Sequence, residues 1–207
     1  MSQSADLSHI HRFEPGEGAA LHPLLLLHGT GGDEGDLLPL GRAIAPNRAL
    51  LSPRGQVLEN GMPRFFRRLA EGVFDEADLV DRTDRLADFV GEAQRRYSLE
   101  TPIAIGFSNG ANIAASLFYR RPETLAGAIL IRAMMPFATK PLRDLAGIPI
   151  LVLSGAQDPI IPAANSAGLV DALAAAGAAV EHHVVPAGHG LTQTDMRLAA
   201  EWLGRQP

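Results

Sequence analysis

The chain has no cysteine among its 207 residues. Disulfides, thiolate metal sites and a cysteine nucleophile are therefore all excluded. No apolar run approaches the roughly 20 residues needed to span a bilayer. The start, Met1-Ser2-Gln3-Ser4-Ala5-Asp6, lacks the basic stretch and apolar core of a secretory signal. A cytoplasmic protein without membrane insertion is expected. Positive charge is not in excess either: the formal net charge is -5, which argues against nucleic acid or an anionic membrane surface as a partner. Neither a G-x-x-x-x-G-K-[ST] nor a G-x-G-x-x-G pattern occurs, so no phosphate-cradling loop is expected. No histidine–carboxylate spacing suits a zinc helix. Neither a metal nor a cofactor is expected.

What is present suits a globular enzyme. Hydrophobic residues make up 46% of the chain, enough for a full core in one domain spanning 1–207, with a poorly defined segment over 1–20. Short apolar runs at 24–27, 49–52, 102–105, 125–131, 149–154 and 180–185 read as strands, and 10–13 as a weaker first strand. Helical patterns lie between them at 36–45, 75–97, 111–119, 162–176 and 192–203. Most of the apolar runs are continuous rather than alternating. That pattern, with intervening helices, predicts an α/β fold with a mostly parallel sheet covered on both faces, in three layers. The stretch 56–74 has no clear period and is expected to be a long irregular excursion. The stretch 132–140 reads as a loop.

The most informative residues are Gly106-Phe107-Ser108-Asn109-Gly110, a G-x-S-x-G pentapeptide between a strand and a helix. In that context a serine sits on a sharp, strained turn with its hydroxyl exposed. A serine hydroxyl is a weak nucleophile and needs a base, which in turn needs an orienting group. On a parallel sheet these must all come from loops at the carboxyl ends of strands. Asp158, four residues past the strand at 149–154, and His189, just past the last strand, meet that condition. Asp144 precedes its strand, Asp171 falls in a helix, and His182 and His183 fall within a strand. The expected catalytic residues are Ser108, Asp158 and His189, in the chain order of this class of hydrolase. Acyl transfer also needs N–H donors for an oxyanion. The backbone of Asn109, following the nucleophile, is one. The glycine-rich loop His28-Gly29-Thr30-Gly31-Gly32 supplies the other, from Thr30 or alternatively Gly31. His28 is expected to brace that loop.

These motifs resemble the α/β-hydrolase superfamily, specifically the small carboxylesterase/phospholipase-type serine hydrolases that include acyl-protein-thioesterase-like enzymes. The resemblance rests on Leu27-His28-Gly29-Thr30-Gly31-Gly32, the pentapeptide, Gly155-Ala156-Gln157-Asp158-Pro159-Ile160-Ile161-Pro162 and Gly188-His189-Gly190-Leu191, and it covers nearly the whole chain. Ser108-Asn109-Gly110-Ala111-Asn112 and Glu59-Asn60-Gly61-Met62-Pro63-Arg64-Phe65-Phe66 look closer to a bacterial branch of hydrolases linked to hydroquinone or catechol resistance. Acyl-protein thioesterases typically carry Leu and Gln where this chain has Thr30 and Asn109; the backbone donors survive the change, but the substrate inference is weakened. The resemblance implies cleavage of small or medium acyl or aromatic esters through an acyl-serine, with thioester or lysophospholipid cleavage as the alternative. It also implies a homodimer, since related small hydrolases often pair.

Phe65, Phe66, Met134, Met135 and Phe137 lie in loop regions and are expected either to wall an acyl or aromatic pocket or to pack in the core. Arg64, Arg67, Arg68 and Arg132 have two readings: contacts for a substrate carboxylate, or surface residues and partners of nearby acids such as Glu71 and Asp75. Other classes of function also stand beside hydrolysis. One is a non-catalytic binding protein on the same fold; another is a lyase or peroxidase using the same three residues.

Overall fold

The computed structural model describes residues 7–17, 21–137 and 141–206. Its centre is a seven-stranded sheet. The strands are β1 (His11–Glu14), β2 (Leu24–Leu27), β3 (Leu50–Pro53), β8 (Ile103–Phe107), β9 (Gly127–Ile131), β10 (Pro149–Gly155) and β11 (Ala179–Val185), in the spatial order β1-β3-β2-β8-β9-β10-β11. Only β1 is antiparallel, against β3. The others run parallel, with registers such as Leu24 opposite Ile103 and Ile150 opposite Ala128.

Side-chain alternation explains why the apolar runs are continuous. Leu24 to Leu27 are all fully buried, because successive residues point to opposite covered faces. Leu25 and Leu27 join Leu86 and Phe89 of helix α2 (Glu76–Tyr97) and Ile113 and Phe118 of α3 (Asn109–Arg120). Leu24 and Leu26 join Leu38 of α1 (Leu38–Ile44) and Trp202 of α5 (Gln193–Leu203). Helix α4 (Ala163–Ala175) buries Leu169 and Leu173 on the α2–α3 side. This is the expected three-layer α/β-hydrolase architecture. No described helix is long and apolar enough to cross a membrane.

Helix ends follow local chemistry. Asp75 caps α2 by accepting from the Asp78 N–H, and Thr192 and Asp195 form a reciprocal capping box at α5. The stretch 56–74 departs from the irregular excursion expected. It folds as two short hairpins, β4 (Val57–Glu59) with β5 (Met62–Arg64) and β6 (Arg68–Ala70) with β7 (Val73–Phe74). Strands of two or three residues are too short to show a period. Between β4 and β5, Asn60 and Gly61 both have positive φ, 53° and 79°, as an Asn-Gly hairpin turn requires. The loop expected from Arg132 is present to Phe137, and 138–140 lie outside the described residues, as do 1–6 and 18–20 of the N-terminal segment.

Strand order also decides where a ligand can bind. From β2 the sheet grows one way to β3 and β1, and the other way to β8, β9, β10 and β11. The loops leaving β2 and β8 therefore part at their carboxyl ends and open a crevice there.

The N-terminal segment generates a stability prediction. His9 is buried, with its ring 4.8 Å from that of Phe89. Burial, with the nearby charges of Arg82, His11 and Arg85, lowers its pKa from the ordinary 6.5 to about 4. Between those values the unfolded chain binds more protons, so stability is lost as pH falls through the window, by up to about 3 kcal/mol. His9→Gln should flatten the dependence of thermal unfolding temperature on pH between about 6.5 and about 4. A slope equal to that of the unsubstituted chain would contradict this account.

Candidate active site

Ser108 is the single residue between β8 and α3. Its φ of 51° and ψ of -113° lie in a region that non-glycine residues rarely occupy, a strain of about 1–3 kcal/mol. The flanking glycines show why the turn needs them. A Cβ on Gly106 would lie 2.6 Å from Ala111 backbone atoms, and one on Gly110 would lie 2.0 Å from the Leu27 carbonyl oxygen. The start of α3 thus rests directly on the end of β2. The Ser108 N–H donates to the Ile131 carbonyl at 2.9 Å, and its own carbonyl accepts from Asn112 at 3.0 Å. The backbone is pinned, and the hydroxyl lines the crevice.

Two loops meet that hydroxyl. His189 Nε2 lies 2.9 Å from Ser108 Oγ, and His189 Nδ1 lies 2.8 Å from Asp158 Oδ2. With the imidazole proton on Nδ1, the ring donates to Asp158 and accepts from the serine hydroxyl. Asp158 Oδ1 accepts from the backbone N–H groups of Ile160 and Ile161, at 2.8 and 3.1 Å. Burial pushes the Asp158 carboxyl up, but the hydrogen bonds from His189, Ile160 and Ile161 outweigh it and hold the group below its ordinary range. Asp158 is therefore ionised at neutral pH. The two loops are tied to each other: Ala156 N–H donates to Val185 and Gln157 N–H to Ala187.

Arg132 corrects one of the sequence readings. It does not face a substrate. It is fully buried and pairs two-pronged with Asp195, both contacts at 2.9 Å, with neither side chain exposed. Its Nε donates to the Gly188 carbonyl at 2.9 Å, and Nη2 to the Gly190 carbonyl at 3.2 Å. Those carbonyls flank His189 on both sides. Asp195 also completes the capping box with Thr192 at the start of α5, so one buried ion pair joins the end of β9, the histidine loop and the last helix. The partner of Asp195 lies 63 residues away along the chain, so no local spacing marks the pair.

Thr30 and Asn109 line the same crevice as Ser108 and His189. Neither backbone N–H donates to another group among the described residues. Gly31, the alternative to Thr30, differs: its N–H donates to the Pro63 carbonyl at 2.9 Å and is occupied. The loop is braced as expected of His28, whose Nδ1 donates to the Gly29 carbonyl at 2.7 Å and whose Nε2 accepts from the Gly55 N–H at 2.9 Å. Burial lowers its pKa, so it stays neutral. Two further braces were not anticipated. Arg64 Nη1 donates to Thr30 Oγ1 at 2.7 Å, and Asn109 Oδ1 accepts from the Phe65 N–H at 2.7 Å. The hairpins are thereby fastened to both candidate N–H donors.

The crevice encloses about 340 Å³. Of the expected pocket residues, Met134 lines it, held by a hydrogen bond from its N–H to Asn112 Oδ1 at 2.7 Å. Phe65, Phe66, Met135 and Phe137 do not. Phe65 sits against His28, Phe66 packs edge-on to Phe74, and Phe137 packs edge-on to Tyr119 in the core. Met135 lies against the Tyr119 hydroxyl. The segment joining the hairpins buries Phe65 and Phe66 in the core, leaving Phe74, Phe107, Ile160 and Ile161 as the other apolar walls. Arg64, Arg68 and Glu71 also line the crevice, whereas Arg67 pairs with Asp75.

Comparisons with known proteins agree with this fold. Residues 10–205 match the family described as Phospholipase/Carboxylesterase. The chain is 49% identical over 188 residues to the "Putative hydrolase MhqD" of Bacillus subtilis, covering 90% of this chain and 94% of that protein. The Bacillus cereus carboxylesterase structure superposes with a TM-score of 0.94 at 46% identity, covering 96% and 94% of the two chains. The structure of YahD with malic acid superposes at 0.91 and 32% identity, covering 96% and 100%. The chain belongs to the phospholipase/carboxylesterase family and is an ester-hydrolysing serine hydrolase on the α/β-hydrolase fold.

Proposed function

We propose that the protein cleaves carboxylic esters of small to medium acyl groups, with Ser108 as nucleophile, His189 as general base and acid, and Asp158 as the orienting carboxylate. The observation that carries this reading is the continuous chain from Asp158 Oδ2 through His189 to Ser108 Oγ, with contacts of 2.8 and 2.9 Å. Ser108 Oγ attacks the ester carbonyl carbon while its proton passes to His189 Nε2. Asp158 stabilises the resulting imidazolium and keeps the second ring proton on Nδ1. The carbonyl oxygen gains negative charge between the N–H groups of Thr30 and Asn109, which have no competing acceptor. Collapse expels the alkoxide, which takes the proton from His189. Water then attacks the acyl carbon as it passes a proton to the same histidine, and the acid leaves as Ser108 Oγ takes that proton back.

The size of the crevice supports the substrate class. A volume of about 340 Å³ lies near the small end of the range for ligand pockets, ~300–1,000 Å³. The malic acid in the YahD structure is a small acid too, which agrees with an acyl group of a few carbons rather than a lipid tail.

The Arg132–Asp195 pair is a positioning device in this reading. It acts on His189 through the Gly188 and Gly190 carbonyls, not on the substrate.

Ser108→Ala should lower p-nitrophenyl butyrate hydrolysis by about 10⁴-fold or more and abolish labelling by a fluorophosphonate probe, with thermal unfolding little changed. Hydrolysis at the unsubstituted rate would overturn the assignment. Asp195→Asn leaves a buried guanidinium without its counter-charge and should cost about 3–5 kcal/mol of stability. Well below the unfolding temperature, kcat for the same ester should fall by about tenfold or more with little change in KM, because the histidine loop loses its anchor. An unaltered kcat in the folded variant would show that the loop does not depend on the pair.

A further inference from the structure

Two guanidinium groups line the crevice beside Ser108, and they differ in how fully they are used. Arg64 and Arg68 converge on the single carboxylate of Glu59: Arg64 Nε lies 3.2 Å from Glu59 Oε2, and Arg68 Nε lies 2.9 Å from Glu59 Oε1. Arg64 is committed elsewhere as well, to Thr30 Oγ1 and the Phe66 carbonyl. Its buried side chain is part of the scaffold. Arg68 is different. It uses only Nε, and the forked end, Nη1 and Nη2, donates to no group among the described residues. About a third of its side chain remains accessible, and it lines the same crevice as Ser108 and His189. One arginine is enough to neutralise Glu59. The second guanidinium brings free N–H donors into a crevice whose lining also includes Phe74, Met134, Ile160 and Glu71.

We propose that Arg68, backed by Arg64 and Glu59, is a subsite for a carboxylate carried by the substrate, so that the preferred esters are monoesters of short dicarboxylic acids. The proposal rests on the reading of Ser108 as nucleophile and specifies what that nucleophile is offered. A guanidinium fork matches a carboxylate two-pronged, and such charge-assisted pairs are about twice as strong as neutral hydrogen bonds. Apolar walls on one side strengthen the pair further by displacing water. Glu59 keeps the Arg68 side chain oriented, so less rotational freedom is lost when an anion binds. The opposing charge in the crevice is Glu71, which is exposed at the turn between β6 and β7. Being solvated, it weakens the field at Arg68 but does not occupy its fork.

The test compares two substrates that differ only at the far end of the acyl chain: ethyl valerate, ending in methyl, and monoethyl glutarate, ending in carboxylate. The ratio of their kcat/KM values, read by acid release at low ionic strength, is the measurement. The unsubstituted enzyme should favour the glutarate monoester by about tenfold or more. Salt at about 0.5 M should reduce that preference. Arg68→Gln should lower the ratio by about tenfold, Arg68→Glu should invert it, and Glu71→Gln should raise it about twofold. A ratio at or below one in the unsubstituted enzyme, or a ratio unmoved by Arg68→Gln, overturns the subsite. If the Arg68 variants do not fold, the ratio in the unsubstituted enzyme and its change in Glu71→Gln decide the matter. Failure of the nucleophile assignment looks different: Ser108→Ala would then still cleave ethyl valerate. Loss of that cleavage without any preference for glutarate would leave Ser108 in place and remove only the subsite.

Discussion

The site depends on how closely α3 approaches β2. The helix start lies so near the Leu27 carbonyl that a single methyl group on Gly110 would not fit. That contact forces the chain to reverse within one residue after β8, and Ser108 absorbs the reversal with a positive φ. The same contact brings the Asn109 N–H, at the positive end of the helix dipole, beside the loop that carries Thr30. The candidate nucleophile and the candidate oxyanion donors thus derive from one packing constraint between two neighbouring strands at the point where the sheet reverses its order. The strain at Ser108 is tolerated because Ile131, Asn112 and the buried sheet on either side hold the backbone in place.

Buried polar groups carry out the second level of organisation. Arg132, Asp195, His28, Asn109 and Asn112 are all nearly inaccessible, and each of them holds a loop at the carboxyl edge of the sheet. Burying an ion pair such as Arg132–Asp195 gains little net stability, because desolvation offsets the attraction. Its value lies in geometry: it holds the two carbonyls that bracket His189. The ion pairs along α2 and α3, such as Arg85–Asp81 and Arg121–Asp88, are exposed and contribute much less. The charges that matter to chemistry are the few removed from solvent.

The hairpins over 57–74 link the two levels. They fasten themselves to the site through Arg64 and the Phe65 N–H, and they turn Phe65 and Phe66 inward as packing. What they present to the crevice is Phe74 and charge: Arg64, Arg68 and Glu71. Aromatic residues near a candidate nucleophile are compatible with an aromatic pocket or with core packing when read along the chain. In three dimensions the apolar walls mix Phe74 and Phe107 with Met134, Ile160 and Ile161, and the distinguishing feature is the open guanidinium fork of Arg68.

The sequence by itself determined the strand–helix alternation, the parallel three-layer sheet, and the placement of Ser108, Asp158, His189 and Thr30 after separate strands. It could do so because those features are local: continuous apolar runs, a glycine-flanked serine, and polar residues immediately beyond strand ends. The two hairpins over 57–74 were not read, because strands of two or three residues are too short to show a period. Only the tertiary structure decided which glycine-loop N–H stays unoccupied, because the acceptor of the Gly31 N–H is Pro63, on another hairpin. It alone decided that Arg132 is a buried clamp and Arg68 an open fork. The two residue types are identical, and their roles differ because Asp195 lies across the fold from one, while Glu59 occupies only the Nε of the other. Partners separated by tens of residues leave no spacing to read, and burial is set by what packs above a side chain rather than by its neighbours in the chain.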